Sequence, residues 1–287
     1  MHLSVVIATK DRAALLDQAL ASLRAQDGAP PHELIVVDNG SSDATRAVAR
    51  AHGAQYAYVA EPNRGKARNA GVALASGDVI GFVDDDVVVP PHFLAAHARA
   101  HAAENAAVAV SGPIVNVPDA ALRPEPTAAN FSRAFFVTCN VSVRAAALRA
   151  SGGFDESFDL YGWEDTELGA RLRAAGVRRA FAWDAYLWHI KPPTPESLED
   201  ALGKAIEKAR MAARFVRKVP SRRVKLATGA YALNLARARV LAPGFAQPLL
   251  AGLATSPRVP AALAQVARGM LLDSVYTEEL DRQLQRR

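Results

Sequence analysis

Cysteine is nearly absent. Cys139 is the single cysteine in 287 residues, so no intrachain disulfide can form. Such usage fits a reducing compartment. No run of about 18 uncharged apolar residues occurs, which argues against a transmembrane helix. The longest candidate, Val240 to Thr255, is interrupted by Pro243, Gly244 and Pro248. The N-terminus shows no basic segment followed by an apolar one, so no secretory signal is expected. Aromatic residues make up 7% of the chain. The basic residues lack interleaved stacking groups, which makes nucleic acid a poor partner. There is no internal repeat, and no low-complexity tract beyond a general richness in alanine.

Half of the residues are hydrophobic, enough for one large domain or two smaller ones. Lys plus Arg number 34 against 29 Asp plus Glu, a net charge of +5. The excess is uneven: residues 204–225 hold nine Lys or Arg and one acid. A basic segment of this kind suits anionic lipid or a phosphorylated acceptor.

The first hundred residues alternate strand and helix. Strands are expected at Leu3–Ala8, Glu33–Asp38, Gln55–Val59 and Val79–Val83. Helices are expected after Asp11 as a cap, from Ser42 or Asp43 to Ala51, and from Lys66 to Ala75. This alternation predicts a parallel sheet with right-handed crossovers. From 107 to 190 the pattern is less regular. Ala107–Val110, Phe135–Cys139 and Arg179–Trp183 read as strands, Arg144–Ala150 and Glu164–Ala175 as helices. A boundary is expected at Lys191-Pro192-Pro193. Beyond it Thr194 can cap a helix with Pro195 at its first position. Its stripe of Leu198, Leu202, Ile206, Ala209, Ala213 and Val216 opposes a cationic side. That stripe is expected to pack on the preceding domain, being mostly alanine with few bulky anchors for lipid.

The chemistry concentrates where an apolar run meets carboxylates. Val79-Ile80-Gly81-Phe82-Val83 leads into Asp84-Asp85-Asp86. Three adjacent carboxylates repel one another, more so where water is scarce. A buried strand before them places them at a sheet's carboxyl edge, where open α/β folds bind ligands. A hard divalent cation would relieve the repulsion. Asp38 ends another strand, and its carboxylate suits either a nucleobase N–H or a turn. Asn63-Arg64-Gly65-Lys66-Ala67-Arg68-Asn69 sets three cations at a helix start, a place that favours phosphate. Trp163-Glu164-Asp165 opens a second helix with two acids, and a carboxylate there can take a proton from a hydroxyl. His189 follows a strand and suits either a metal or a structural role. Thr138-Cys139-Asn140 follows another strand and is a candidate pocket wall. A nucleophilic Cys139 is not expected, because no general base is suggested beside it.

Taken together these segments resemble glycosyltransferase family 2, nucleotide-sugar-dependent enzymes of the GT-A fold. The resemblance covers about residues 3–190. It rests on Ser4-Val5-Val6-Ile7-Ala8-Thr9, Val37-Asp38-Asn39-Gly40-Ser41-Ser42-Asp43, the 63–69 segment, the aspartate triplet, Gly152-Gly153-Phe154-Asp155-Glu156 and Trp163-Glu164-Asp165. It implies an α/β fold with a Rossmann-like, mostly parallel central sheet flanked by helices. A catalytic domain would span 1–193, with a nucleotide-sugar half to about 106 and an acceptor half over 107–193. A helical extension would follow over 194–287. The implied reaction is an inverting transfer of a hexose-type sugar to an acceptor hydroxyl, assisted by Mn²⁺ or Mg²⁺. Cell-envelope polysaccharide or glycolipid synthesis is the implied setting.

By the same resemblance Ala8, Thr9, Arg12, Asp38 and Arg68 would line the nucleotide-sugar site. Asp84, Asp85 and Asp86 would form the DXD-type motif, with Asp86 and His189 on the metal. Asp165 would be the catalytic base. Asn140, Trp163 and Glu164 would line the donor or acceptor pocket. The donor would be a UDP-, GDP- or dTDP-sugar, and the acceptor a saccharide or a lipid-linked molecule. The resemblance transfers nothing to the tail; its cationic, amphipathic pattern leaves peripheral membrane contact as the alternative to packing on the catalytic domain of a cytoplasmic chain. Loop closure over the donor would fall to the stretch around Pro118–Asn130 or the start of the tail. Two other readings stay open: a sugar nucleotidyltransferase, disfavoured because Ala8-Thr9-Lys10-Asp11-Arg12 has no glycine, and a non-catalytic nucleotide-sugar binder.

Overall fold

The computed structural model describes residues 1–191, 196–241 and 244–286. It contains two compact units: Met1–Asp159 with Glu164–Pro193, and Leu160–Trp163 with Thr194–Arg287. The elements of the first are β1 (Leu3–Thr9), α1 (Ala13–Arg24), β2 (His32–Asp38), α2 (Thr45–Ala51), β3 (Gln55–Tyr58), α3 (Arg64–Leu74), β4 (Val79–Val83), β5 (Val87–Val88), α4 (Phe93–Ala102), β6 (Val108–Ser111), β7 (Ile114–Val117), β8 (Asn140–Arg144), α5 (Ala145–Ala150), α6 (Glu164–Ala174), β9 (Arg178–Phe181) and β10 (Leu187–Ile190).

Seven strands form the main sheet in the order β3-β2-β1-β4-β8-β6-β9. Only β8 runs against its neighbours. A second sheet, β5-β10-β7, stands beside it. The central strands β1, β2 and β4 are Val- and Ile-rich because helices cover both faces. On one face Val6, Ile35, Val37, Ile80 and Phe82 pack with α3 and α6 residues. On the other, Val5, Ile7, Leu34 and Val36 meet Leu16, Leu20 and Leu23 of α1. Helix α3 lies so close that a Cβ on Gly71 would stand 2.4 Å from Val6 Cγ1. Strand order and register then fix the carboxyl edge, pairing Thr9 with Asp38 and Asp38 with Tyr58.

Several sequence-based expectations shift. The strand expected at Phe135–Cys139 lies one segment later, at β8. Its alternation of Val141 and Val143 with Asn140 and Ser142 is buried on both faces, the polar side meeting His97 and His101 of α4. Phe136 instead plugs the core against Gly169, where a Cβ would come within 2.9 Å. Asp11 does not cap α1. It adopts a left-handed φ of 51°, and its carboxylate accepts from Ser42 N and Oγ. The start of α1 is served across the chain by Asp43, which accepts from Ala13 N. Helix α2 begins at Thr45, held by the same Asp43. His189 lies within β10 rather than after a strand. Elements β5, α4, β7 and β10 were not anticipated.

The second unit is helical: α7 (Leu198–Lys218), α8 (Arg222–Thr228), α9 (Ala232–Leu241), α10 (Gln247–Thr255) and α11 (Ala261–Gln285). The expected cap Thr194 and first-turn Pro195 lie outside the described residues. Ser197 accepts from Asp200 N at the start of α7. Leu198 and Leu202 of α7 pack on Leu250, Ala267 and Leu271, so part of the stripe is covered by the unit's own helices. Beyond that stripe, Leu226, Leu233, Val240, Phe245 and Leu249 of the later helices and turns are exposed. Among the described residues no helix is long and apolar enough to cross a membrane.

Candidate active site

The aspartate run leaves β4 and turns into β5, so its three carboxylates meet different partners. Asp85 and Asp86 are buried and Asp84 is half-buried. Arg12, at the start of α1, places Nη1 3.1 Å from both Asp85 Oδ1 and Asp86 Oδ2. Burial raises the Asp85 carboxyl despite that cation. Burial also pushes Asp86 upward, but His189, Lys191 and Arg12 outweigh it and leave the group below its ordinary value.

β10 carries His189 to the same edge, opposite Val87 of β5. His189 Nε2 pairs with Asp86 Oδ1 at 2.9 Å, and neither atom has another hydrogen-bond partner. A buried carboxylate oxygen and ring nitrogen partnered only by each other can equally face a divalent cation. One ligand atom each from Asp84, Cys139 and His189 also fall within 4.8 Å of one another. The donor set therefore fits an ion of the Mn²⁺ or Mg²⁺ kind through its carboxylates, with the imidazole beside them.

Arg68 joins this edge to the second acidic element. It is buried on α3, with Nη1 2.9 Å from Glu164 Oε1 and Nη2 3.9 Å from Asp84 Oδ1. A buried guanidinium between two carboxylates offsets the negative charge gathered at the end of β4 and the start of α6. Asp165, next to Glu164 in the first turn of α6, has its carboxyl pushed up to about 6. Burial is the main cause and the Glu164 charge the second, while Arg68 and the Thr166 hydrogen bonds oppose them.

Asp38 accepts from Ser41 N and from the Tyr56 hydroxyl, both at 2.7 Å. Burial and this carboxylate raise the Tyr56 phenol to about 12. Around them Ser41, Ser42, Asp43, Arg46, Tyr56 and Tyr58 line an open pocket of about 580 Å³. Thr9 ends β1 beside Asp38 with its hydroxyl buried. Ala8 packs against the core.

Two expected pocket residues are placed elsewhere. Asn140 is buried, donates to Pro113 O and Ala185 O, and meets His97 Nε2 through its Oδ1. It ties β8 to two loops and has no amide group left for a ligand. Trp163 belongs to the second unit, where its indole donates to Lys208 O. The 63–69 segment is also more structural than its cations imply. Asn63 caps α3 and donates to Glu156 O, while Asn69 holds both backbone groups of Phe154. Sequence reading missed Lys191, whose Nζ lies 3.7 Å from Asp86 Oδ2. It also missed Cys139 as a neighbour of Asp84, although antiparallel pairing of Val83 with Asn140 sets the two side by side.

Known proteins resemble this chain in sequence and in fold. The family model described as glycosyl transferase family 2 matches residues 4–152, and one described as N-terminal domain of galactosyltransferase matches 125–191. A validoxylamine A glucosyltransferase of Streptomyces hygroscopicus subsp. limoneus is 34% identical over 263 residues, covering 76% of this chain and 57% of the relative. A hyaluronan synthase of Pasteurella multocida is 27% identical, covering 69% of this chain and 25% of the relative. This chain thus spans little more than half, or less, of the length of these relatives. Among solved structures, S. aureus TarS 1–349 in complex with UDP-GlcNAc superposes with a TM-score of 0.59 at 18% identity, covering 98% of this chain and 91% of TarS 1–349. The mannosyltransferase PcManGT of Pyrobaculum calidifontis, solved with GDP-Man and Mn²⁺, gives 0.60 at 19% identity, covering 98% of this chain and 86% of that one. Such likeness at low identity speaks for the fold, which is GT-A. With more than half of its length matched by the family model, the chain belongs to glycosyl transferase family 2.

Proposed function

We propose that this chain is an inverting glycosyltransferase that moves a sugar from a nucleoside diphosphate sugar to an acceptor hydroxyl, with Asp165 as the base. The observation that carries the reading is the Arg68 bridge. One guanidinium reaches both the aspartate run and the Glu164–Asp165 helix start, so donor-binding and proton-accepting groups face a common edge. A carboxyl near 6 is poised to accept a proton close to neutral pH.

Asp165 takes the proton of the acceptor hydroxyl as its oxygen attacks the anomeric carbon. The nucleoside diphosphate leaves from the opposite face, so one displacement inverts the configuration without a protein nucleophile. Asp84, Asp86 and His189 would hold a divalent ion, Mn²⁺ or Mg²⁺, whose charge neutralises the leaving diphosphate. Arg12 orients Asp85 and Asp86, and the pocket beside Asp38 and Tyr56 has the size and polar lining for a nucleobase. The complexes of the structural relatives keep UDP- and GDP-sugars, with dTDP-sugars, as the donors to test, and the validoxylamine relatives put glucose first among the sugars.

The acceptor reading is a saccharide or lipid-linked hydroxyl in cell-envelope glycan synthesis. Exposed Leu226 and Leu233, close in sequence to Arg222, Arg223 and Lys225, and exposed Phe245 and Leu249 further on, support contact of the second unit with the inner face of a membrane. Flotation with anionic liposomes at low salt, lost at high salt, checks this part.

The decisive experiment combines calorimetry with UDP-, GDP- and dTDP-sugars plus Mn²⁺, an assay of released nucleotide, and NMR of the product anomer. Asp165→Asn should keep donor binding and lose transfer. Turnover surviving in that variant, or a product with retained configuration, would overturn the mechanism.

A further inference from the structure

We propose that Cys139 is a sulfur ligand of the cation site, so that this centre takes borderline-soft divalent ions such as Zn²⁺ and Co²⁺ as well as hard ones; the inference rests on the metal-assisted reading above. Three observations carry it. First, Cys139 Sγ, a carboxylate oxygen of Asp84 and a ring nitrogen of His189 lie within 4.8 Å of one another. Ligand bonds of about 2.3 Å to sulfur and 2.0–2.2 Å to nitrogen and oxygen put tetrahedral neighbours roughly 3.5 Å apart, so a small side-chain adjustment closes the set. Second, the groups are held by strands. Val83 pairs with Asn140 in the β4–β8 ladder, which fixes Asp84 and Cys139 side by side, and β10 is held between β5 and β7. Third, Asp86 is only 6% exposed, and its Oδ1 pairs with His189 Nε2 at 2.9 Å, with no further hydrogen bond to either atom. A fourth ligand is thus within reach of the same imidazole.

Carboxylates alone favour Mg²⁺ and Mn²⁺, whereas a thiolate with imidazole favours Zn²⁺ and Co²⁺. As the sulfur–metal bond forms, the S–H bond breaks and its proton passes to solvent. Cys139 would therefore set which ion the centre prefers, and Zn²⁺ would compete with Mn²⁺ for it.

The single cysteine makes the test clean, since any thiolate-to-cobalt charge-transfer band must arise from Cys139. Co²⁺ is titrated into the untagged full chain with and without UDP. The near-ultraviolet band is expected in the wild type and absent in Cys139→Ser. Zn²⁺ and Co²⁺ affinity should fall at least about ten-fold in the variant, against less than about three-fold for Mg²⁺. X-ray absorption at the zinc edge of the wild type should show sulfur at about 2.3 Å, a readout that does not depend on the variant folding. Co²⁺ bound without the band, or Zn²⁺ bound by nitrogen and oxygen alone, overturns the inference and leaves the metal-assisted reading in place. Failure of every divalent ion to bind, with or without UDP, overturns both.

Discussion

Asp165→Asn should do two things at once: abolish turnover and make the protein more stable. The folded carboxyl sits near 6 against an ordinary 3.8, a gap of about 2 units at roughly 1.4 kcal/mol each. Between those pH values the folded state keeps a proton that the unfolded chain releases. Stability from this group is therefore present in acid and lost as pH rises through 6. At pH 7.5 the wild type carries the whole penalty, up to about 3 kcal/mol, and an amide carries none. The asparagine oxygen can still accept from Thr166 N, so little is lost in exchange. A gain of about 1–3 kcal/mol should raise Tm by roughly 2–5 °C for a chain of this size. Calorimetric melting of both proteins at pH 7.5 and pH 4 is the assay. The difference should fade toward pH 4, where the wild-type carboxyl is already protonated. An unchanged or lower Tm at pH 7.5, or a difference that persists in acid, would refute the assignment of a raised Asp165.

Glu164→Gln removes the second cause of that shift but leaves burial, so the acid limb of the turnover profile should move to lower pH by less than about two units; an upward move would contradict it. His97 and His101 are held neutral by burial, lowered to about 4 and about 3. Their folded values lie below the unfolded one, so stability is full above about 6.5 and is lost as pH falls through 4, by about 3 kcal/mol for His97 alone. Urea unfolding at pH 7 and 4.5 should show the loss, and His97→Gln should reduce it. Gly71→Ala should destabilise by about 1–3 kcal/mol despite better helix propensity, because its Cβ meets Val6, and Val6→Ala should recover part of that in a double-mutant cycle.

The nucleotide half was legible because its signals are local. A Val- and Ile-rich run between helices reads as a buried strand wherever it occurs, and β1, β2 and β4 lie within a residue of their expected positions. The region after residue 107 was less legible because β8 is buried on both faces with polar residues on one. Asn140 and Ser142 are satisfied by His97 and His101 from α4, a helix whose own histidines hid its buried side. Asp11 looked like a cap, but the Ala13 N–H of α1 is met by Asp43, a residue 30 positions away in sequence.

By itself the sequence determined the parallel strand–helix alternation, the aspartate run at a strand end and an acidic helix start, since each follows from short-range pattern and charge. Only the tertiary structure decided which acids lie beside Arg12, Arg68 and His189. That choice depends on strand order, on Arg68 reaching across from α3, and on β10 delivering His189 beside Asp86. Coulomb energies and desolvation act through space, and the distances they require are set by pairings between segments far apart in the chain.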